Sequence, residues 1–164
     1  MTLLTGTGVK SDLFAINNGS KHGNYLEGEK IFINLDRTRE IFEAVNGRIG
    51  VSIAQHGITG TPIHLISRFA ECGIQKGNVG TQWQNIAHAG LPPPLIKRMR
   101  ELAKDAGKDI RFATKRFKPE IDTVPAEYAG GIEVAAYQEA LALLQAFRAE
   151  GTPRIVAGNL SAGV

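Results

Sequence analysis

Three short apolar runs, each followed by glycine-rich polar residues and then a helical pattern, constrain this chain more than any other feature, because that order reads as successive βα units. The first run is Leu13-Phe14-Ala15-Ile16, followed by a loop from Asn17 to Tyr25. Leu35, Ile41, Phe42 and Val45 then recur at a spacing that gives a helix one buried face, and Asn46-Gly47 is expected to end it. The second run, Ile49 to Ala54, leads into Gln55-His56-Gly57-Ile58-Thr59-Gly60. Thr61 is placed to cap a helix with Pro62 in its first turn and Ile63, Ile66 and Phe69 or Ala70 on its apolar face. A third, less apolar strand from Ile74 to Val79 ends in Gly80-Thr81. The expected class is α/β with a parallel sheet.

Beyond the third strand, Trp83 to Ala89 has helical spacing, Leu91-Pro92-Pro93-Pro94 breaks it, and Leu95 to Ala106 resumes a helix before Gly107. Phe117 to Pro125 reads as extended. From about Ala126 to Glu150 a long helix is expected, with Gly130-Gly131 interrupting it or delaying its start and Ala140, Leu141, Leu144 and Phe147 as its apolar stripe. Gly151 to Val164 reads as a loose tail. The expected domain division is 1–118 and 119–164.

Composition adds exclusions. The net charge of +3 comes from 19 Lys and Arg interleaved with 16 Asp and Glu, without a basic run or aromatic-basic stripe, so no nucleic-acid partner is expected. No apolar run is long enough for a membrane span, and the first residues lack the pattern of a secretory signal. The single cysteine, Cys72, forbids an intrachain disulfide, favours a reducing cytoplasmic setting, and has the apolar neighbours of a packing residue.

Polar residues at the C-terminal ends of parallel strands are where such folds build sites. Two His-Gly pairs, His22-Gly23 and His56-Gly57, fall there. Their imidazoles are 34 positions apart in sequence, but a metal requires only that they meet in space. The alternative is that each histidine satisfies its own loop and that Gly23, Gly57 and Gly60 only shape turns. In the functional reading, the glycine amides and the Thr59 hydroxyl cradle a phosphate. His64 reads as structural or surface, His88 as non-catalytic, and Arg111 to Lys118 as a solvated basic face.

Four motifs in order, Asp12-Leu13-Phe14-Ala15-Ile16, Lys21-His22-Gly23-Asn24-Tyr25, Gln55 to Gly60 and Lys76-Gly77-Asn78-Val79-Gly80-Thr81, resemble the final third of class II fructose- or tagatose-bisphosphate aldolases. The similarity covers residues 8–90 and continues more weakly from Phe117 to Gly151. The resemblance implies a partial (β/α)8 TIM barrel supplying about the last three βα units, followed by C-terminal helices. It implies zinc held by His22 and His56, with a monovalent cation near Gly23 in some members. Gly23, Gly57, Thr59 and Thr81 match phosphate contacts, and Asn78 matches the residue that meets the dihydroxyacetone part of the substrate. The implied reaction is retro-aldol cleavage of a phosphorylated ketose to dihydroxyacetone phosphate and an aldehyde.

The departures are specific. Ile58 replaces a glycine of the family's His-Gly-Gly-Ser-Gly and is expected to narrow the phosphate loop, and Gly80 stands where many members have an aspartate. No segment resembles the Asp-His motif that supplies the third zinc ligand and an acid-base aspartate, nor the mobile-loop glutamate. Such a chain is expected to need an N-terminal barrel half or a homo-oligomer for activity. The alternatives are a non-catalytic phosphate- or metal-binding protein and a degenerate fragment.

Overall fold

The computed structural model describes residue 8 and residues 11–161. Among them the chain forms two compact units, one from Met1–Val79 with Leu143–Val164 and the other from Gly80–Ala142.

The first unit is built on three parallel strands in the order β1-β2-β3: β1 (Leu13–Ala15), β2 (Ser52–Gln55) and β3 (Ile74–Gly77). Phe14 pairs with Ile53 and Gln55 with Gly77, and a register shift at Ile53/Ala54 bends the second ladder. Parallel pairing brings the ends of all three strands, and the loops that follow them, to one sheet edge. Every residue of β2 is buried, whereas Leu13 and Phe14 of β1 are exposed. Ile53, Val51, Ile66, Phe69 and Cys72 form the centre of the core, with Cys72 fully buried as a packing residue.

Helix α1 (Leu35–Ile49) begins at Asn34, whose side chain accepts the Arg37 N–H, and runs through Asn46-Gly47 rather than ending there. Gly50, in the left-handed region at φ 66°, closes it by donating to the Asn46 carbonyl. Ile49 therefore belongs to the helix, and β2 starts three residues later than the apolar run suggests. Helix α2 (Ile63–Ile66) has Pro62 rather than Thr61 at its cap, and the buried Thr61 hydroxyl makes no hydrogen bond. A 3-10 turn (Ala70–Cys72) leads into β3.

The second unit holds α3 (Thr81–Gly90), α4 (Pro93–Asp105), α5 (Arg111–Thr114), α6 (Lys118–Ile121) and most of α7 (Ala126–Ala146). Pro93 and Pro94 occupy the first turn of α4, where a missing N–H costs nothing, so the break is confined to Leu91-Pro92. Pro119 does the same for α6, within a stretch that reads as extended in sequence. Leu91, Leu95, Ile96, Met99 and Ala113 make this unit's core.

Helix α7 passes through Gly130-Gly131 without a break. It buries Leu143 and Ala146 and exposes Leu141 and Leu144, so its buried face is rotated from the expected stripe. Phe147 packs against Phe69 at 6.2 Å between ring centroids, and Arg148 pairs with Glu71 at 2.7 Å. These anchors pull Leu143 and Ala146 inward. The expected loose tail contains α8 (Thr152–Ser161).

Candidate metal and phosphate site

The loop after β1 carries His22, and its shape is set by local hydrogen bonds. The Asn34 N–H donates to the Asn18 carbonyl at 2.8 Å, closing the loop at its base. Lys21 pairs with Glu29 and lies 5.1 Å from the Tyr25 ring centroid; Glu29 also accepts the Leu26 N–H. The hydrogen bond from Lys21 holds the Glu29 carboxyl below its ordinary pKa, with the Leu26 N–H adding to the effect. Gly23 has φ 93°, a backbone shape that side chains disfavour.

The His22 ring, in the loop after β1, and the His56 ring, just beyond β2, have centroids 5.6 Å apart and planes inclined by 48°. Asn78, just beyond β3, places its amide nitrogen 3.1 Å from His56 Nδ1 and 3.0 Å from Nε2. A neutral imidazole has one in-plane lone pair, so only one of these contacts is a hydrogen bond at a time. The Lys76 ammonium donates to Asn78 Oδ1 at 2.7 Å, which fixes the amide with its NH2 toward His56. Asn78 is itself tied to β2 by its N–H on the Gln55 carbonyl at 2.9 Å.

The centroid separation can be compared with that of two imidazoles on one ion. Ligand bonds of about 2.0–2.1 Å in tetrahedral geometry put two ring centroids roughly 5 Å apart, close to the separation here. Among the described residues, however, no group of three His, Cys, Asp or Glu side chains could hold a metal. Two imidazoles are fewer than the three protein ligands that a zinc site ordinarily has.

The phosphate-loop candidates have their own geometry. Gly57, at φ 67°, lies against the Lys21 backbone, whose carbonyl oxygen stands where a Cβ would go. Ile58, expected to narrow the loop, is instead buried, with its Cδ1 in the space that the missing side chain of Gly77 leaves. The Ile58 carbonyl accepts the Thr61 N–H at 2.8 Å, forming a turn over the buried Thr59 and over Gly60, whose φ is 80°. The Tyr25 ring approaches Gly60, and the Tyr25 hydroxyl is buried without a hydrogen-bond partner.

Thr81 belongs to the second unit, where it opens α3, and Arg111 Nη1 lies 3.4 Å from its hydroxyl. Arg111 also pairs with Asp109 at 2.6 Å, so the basic stretch is partly neutralised. His64 is exposed on α2. His88 is 3.4 Å from the Thr114 hydroxyl, and burial lowers its pKa. An apolar concavity of about 540 Å³ in this unit is lined by Leu102, Phe112, Lys115, Arg116 and Pro119, and none of the candidate site residues lines it.

Residues 3–152 match the family described as Fructose-bisphosphate aldolase class-II. The chain belongs to that family. No curated protein matches it. The match spans both compact units and takes in His22, His56, Asn78 and Thr81.

One contact beside the imidazole pair escapes sequence reasoning. Gln55 is fully buried and meets Asn18 and Ser20 across the two histidine loops. It opens the Gln55 to Gly60 motif, but nothing local marks its contacts, because its partners lie 37 and 35 positions away.

Proposed function

We propose that this chain is the C-terminal, site-bearing portion of a zinc-dependent class II ketose-bisphosphate aldolase, contributing about three βα units to a (β/α)8 barrel. The observation that carries the reading is the imidazole pair 5.6 Å apart in the loops that follow two adjacent parallel strands, with the Asn78 amide just beyond the next strand. His22 and His56 are the zinc ligands. Zinc, when bound, supplies a Lewis acid for the ketose carbonyl.

The chain's own residues bind and orient. Asn78, held by Lys76 with its NH2 on the His56 ring, stands beside the imidazole pair and meets the dihydroxyacetone part of the substrate there. Gly23, Gly57 and Thr59 receive phosphate, and Gly23 contributes to a monovalent cation site. The third zinc ligand and the acid-base carboxylate come from another polypeptide segment, either an N-terminal barrel half or a second copy. The single cysteine fits a reducing, cytoplasmic setting.

The test is to mix the chain with a polypeptide carrying the first five βα units of a class II aldolase and assay cleavage of fructose and tagatose 1,6-bisphosphates with and without zinc. Zinc-dependent release of dihydroxyacetone phosphate, lost in His22→Ala and His56→Ala, is expected. No cleavage of either sugar in a mixture that binds zinc would overturn the catalytic reading. A second reading, a non-catalytic metal- and phosphate-binding protein, is favoured by the two-ligand site. Calorimetric binding of zinc and inorganic phosphate without cleavage would select it.

A further inference from the structure

We propose that Gln55, together with Asn18 and Ser20, is a positioning unit that fixes the separation of the His22 and His56 rings for a shared metal; this rests on the reading of that pair as metal ligands. Gln55 is fully buried, in a strand whose preceding residues are Ile53 and Ala54. Its amide NH2 donates to the His56 carbonyl at 2.7 Å, to Ser20 Oγ at 2.9 Å and to Asn18 Oδ1 at 3.2 Å, so two hydrogens serve three acceptors. Asn18 returns a bond from its own NH2 to Gln55 Oε1 at 2.7 Å and reaches the Thr38 hydroxyl at 3.0 Å. Thr38 in turn donates to the Asn34 carbonyl at 2.7 Å, anchoring the cluster to the first turn of α1.

A satisfied buried amide cluster adds little net stability over apolar packing of the same shape, because desolvation offsets most of the hydrogen bonding. What it adds is direction. The His56 carbonyl accepts from both Gln55 and Ser20, the latter at 2.9 Å, which fixes the orientation of the peptide from which the His56 side chain departs. Ser20 stands two residues before His22, so one carbonyl references both imidazoles. Metal ligands tolerate errors of only a few tenths of an ångström, and hydrogen bonds with defined angles hold such a tolerance where side-chain packing alone does not.

The experiment follows the ring nitrogens of the intact chain by 15N-edited NMR during titration with zinc alone, for the unmodified protein, Gln55→Leu, Asn18→Leu/Gln55→Leu and His22→Ala. In the unmodified protein, His22 and His56 are expected to respond together with one dissociation constant. In Gln55→Leu the affinity should fall at least tenfold, and the two histidines should respond separately. The double variant removes both amides, so no unpaired donor or acceptor remains between them, and the expected result is recovered thermal stability with zinc binding still weakened. A merely structural role predicts instead that affinity recovers along with stability, which would overturn the proposal. Should both leucine variants bind zinc as the unmodified protein does while His22→Ala does not, the positioning role fails and the metal reading stands. Unchanged affinity in His22→Ala would overturn both.

Discussion

Gly57 and Lys21 meet backbone to backbone, leaving no room for a side chain between the two histidine-bearing loops. The approach is possible only because residue 57 lacks a Cβ and adopts φ 67°.

Gly57→Ala is therefore expected to destabilise the chain by about 2–4 kcal/mol, combining backbone strain with a collision against main chain that cannot rotate away. Gly47→Ala is the matched control. That glycine lies inside α1 with nothing within 4 Å of an added Cβ, and alanine there should stabilise by roughly 0.5–1 kcal/mol. Urea unfolding of the two variants should shift in opposite directions.

Ile58 separates the structure from the sequence pattern it resembles. Because its side chain is 2% exposed and fills the space beside Gly77, Ile58→Gly should cost about 3–5 kcal/mol through lost burial, cavity and backbone freedom. Had the side chain lined an open loop, the cost would stay near 1 kcal/mol. Thermal denaturation distinguishes the two.

The rotation of α7 gives a paired test. Leu143→Ala should lose roughly 2–4 kcal/mol, and Leu144→Ala, one residue on and 53% exposed, less than about 1 kcal/mol. Equal losses would contradict the buried face described for this helix.

His88 supplies a pH dependence. Burial lowers its pKa, with the positive charges of Arg111 and Arg100 acting the same way and Asp109 opposing them. Because the folded pKa lies below the unfolded value, the unfolded chain binds more protons in this range. The contribution to stability is therefore complete above the unfolded value of about 6.5 and declines as pH falls below it. NMR titration should place the His88 midpoint below that of an unfolded histidine, and Asp109→Asn should lower it further by removing a charge that favours imidazolium. His88→Gln should flatten this part of the stability profile.

Much of this arrangement was legible from local pattern. The three strands announce themselves because β2 is buried on both faces and each run is bounded by glycine-rich loops, and His22 and His56 follow because parallel strands share an edge. Prolines misled where their place in a helix mattered more than their presence. Pro93 and Pro94 start a helix where local reading takes them as a break, and Pro119 sits in the first turn of another where the sequence reads as extended. The face of α7 could not be read because Leu141, Leu143 and Leu144 are equally apolar, and long-range anchors such as Phe147 on Phe69 choose among them. Gln55 was hidden for a related reason, since its partners are distant in sequence.

The reciprocal amide pair has a consequence for how this sequence can change over time. Replacing Asn18 or Gln55 alone by an apolar residue strands the other's donor or acceptor in a dry interior, at about 1–3 kcal/mol. A lineage can leave this state only by altering both positions, and during the intermediate step it carries a weakened loop junction. Positions 18 and 55 should therefore be inherited as a couple, amide with amide or apolar with apolar, across sequences that keep this strand arrangement.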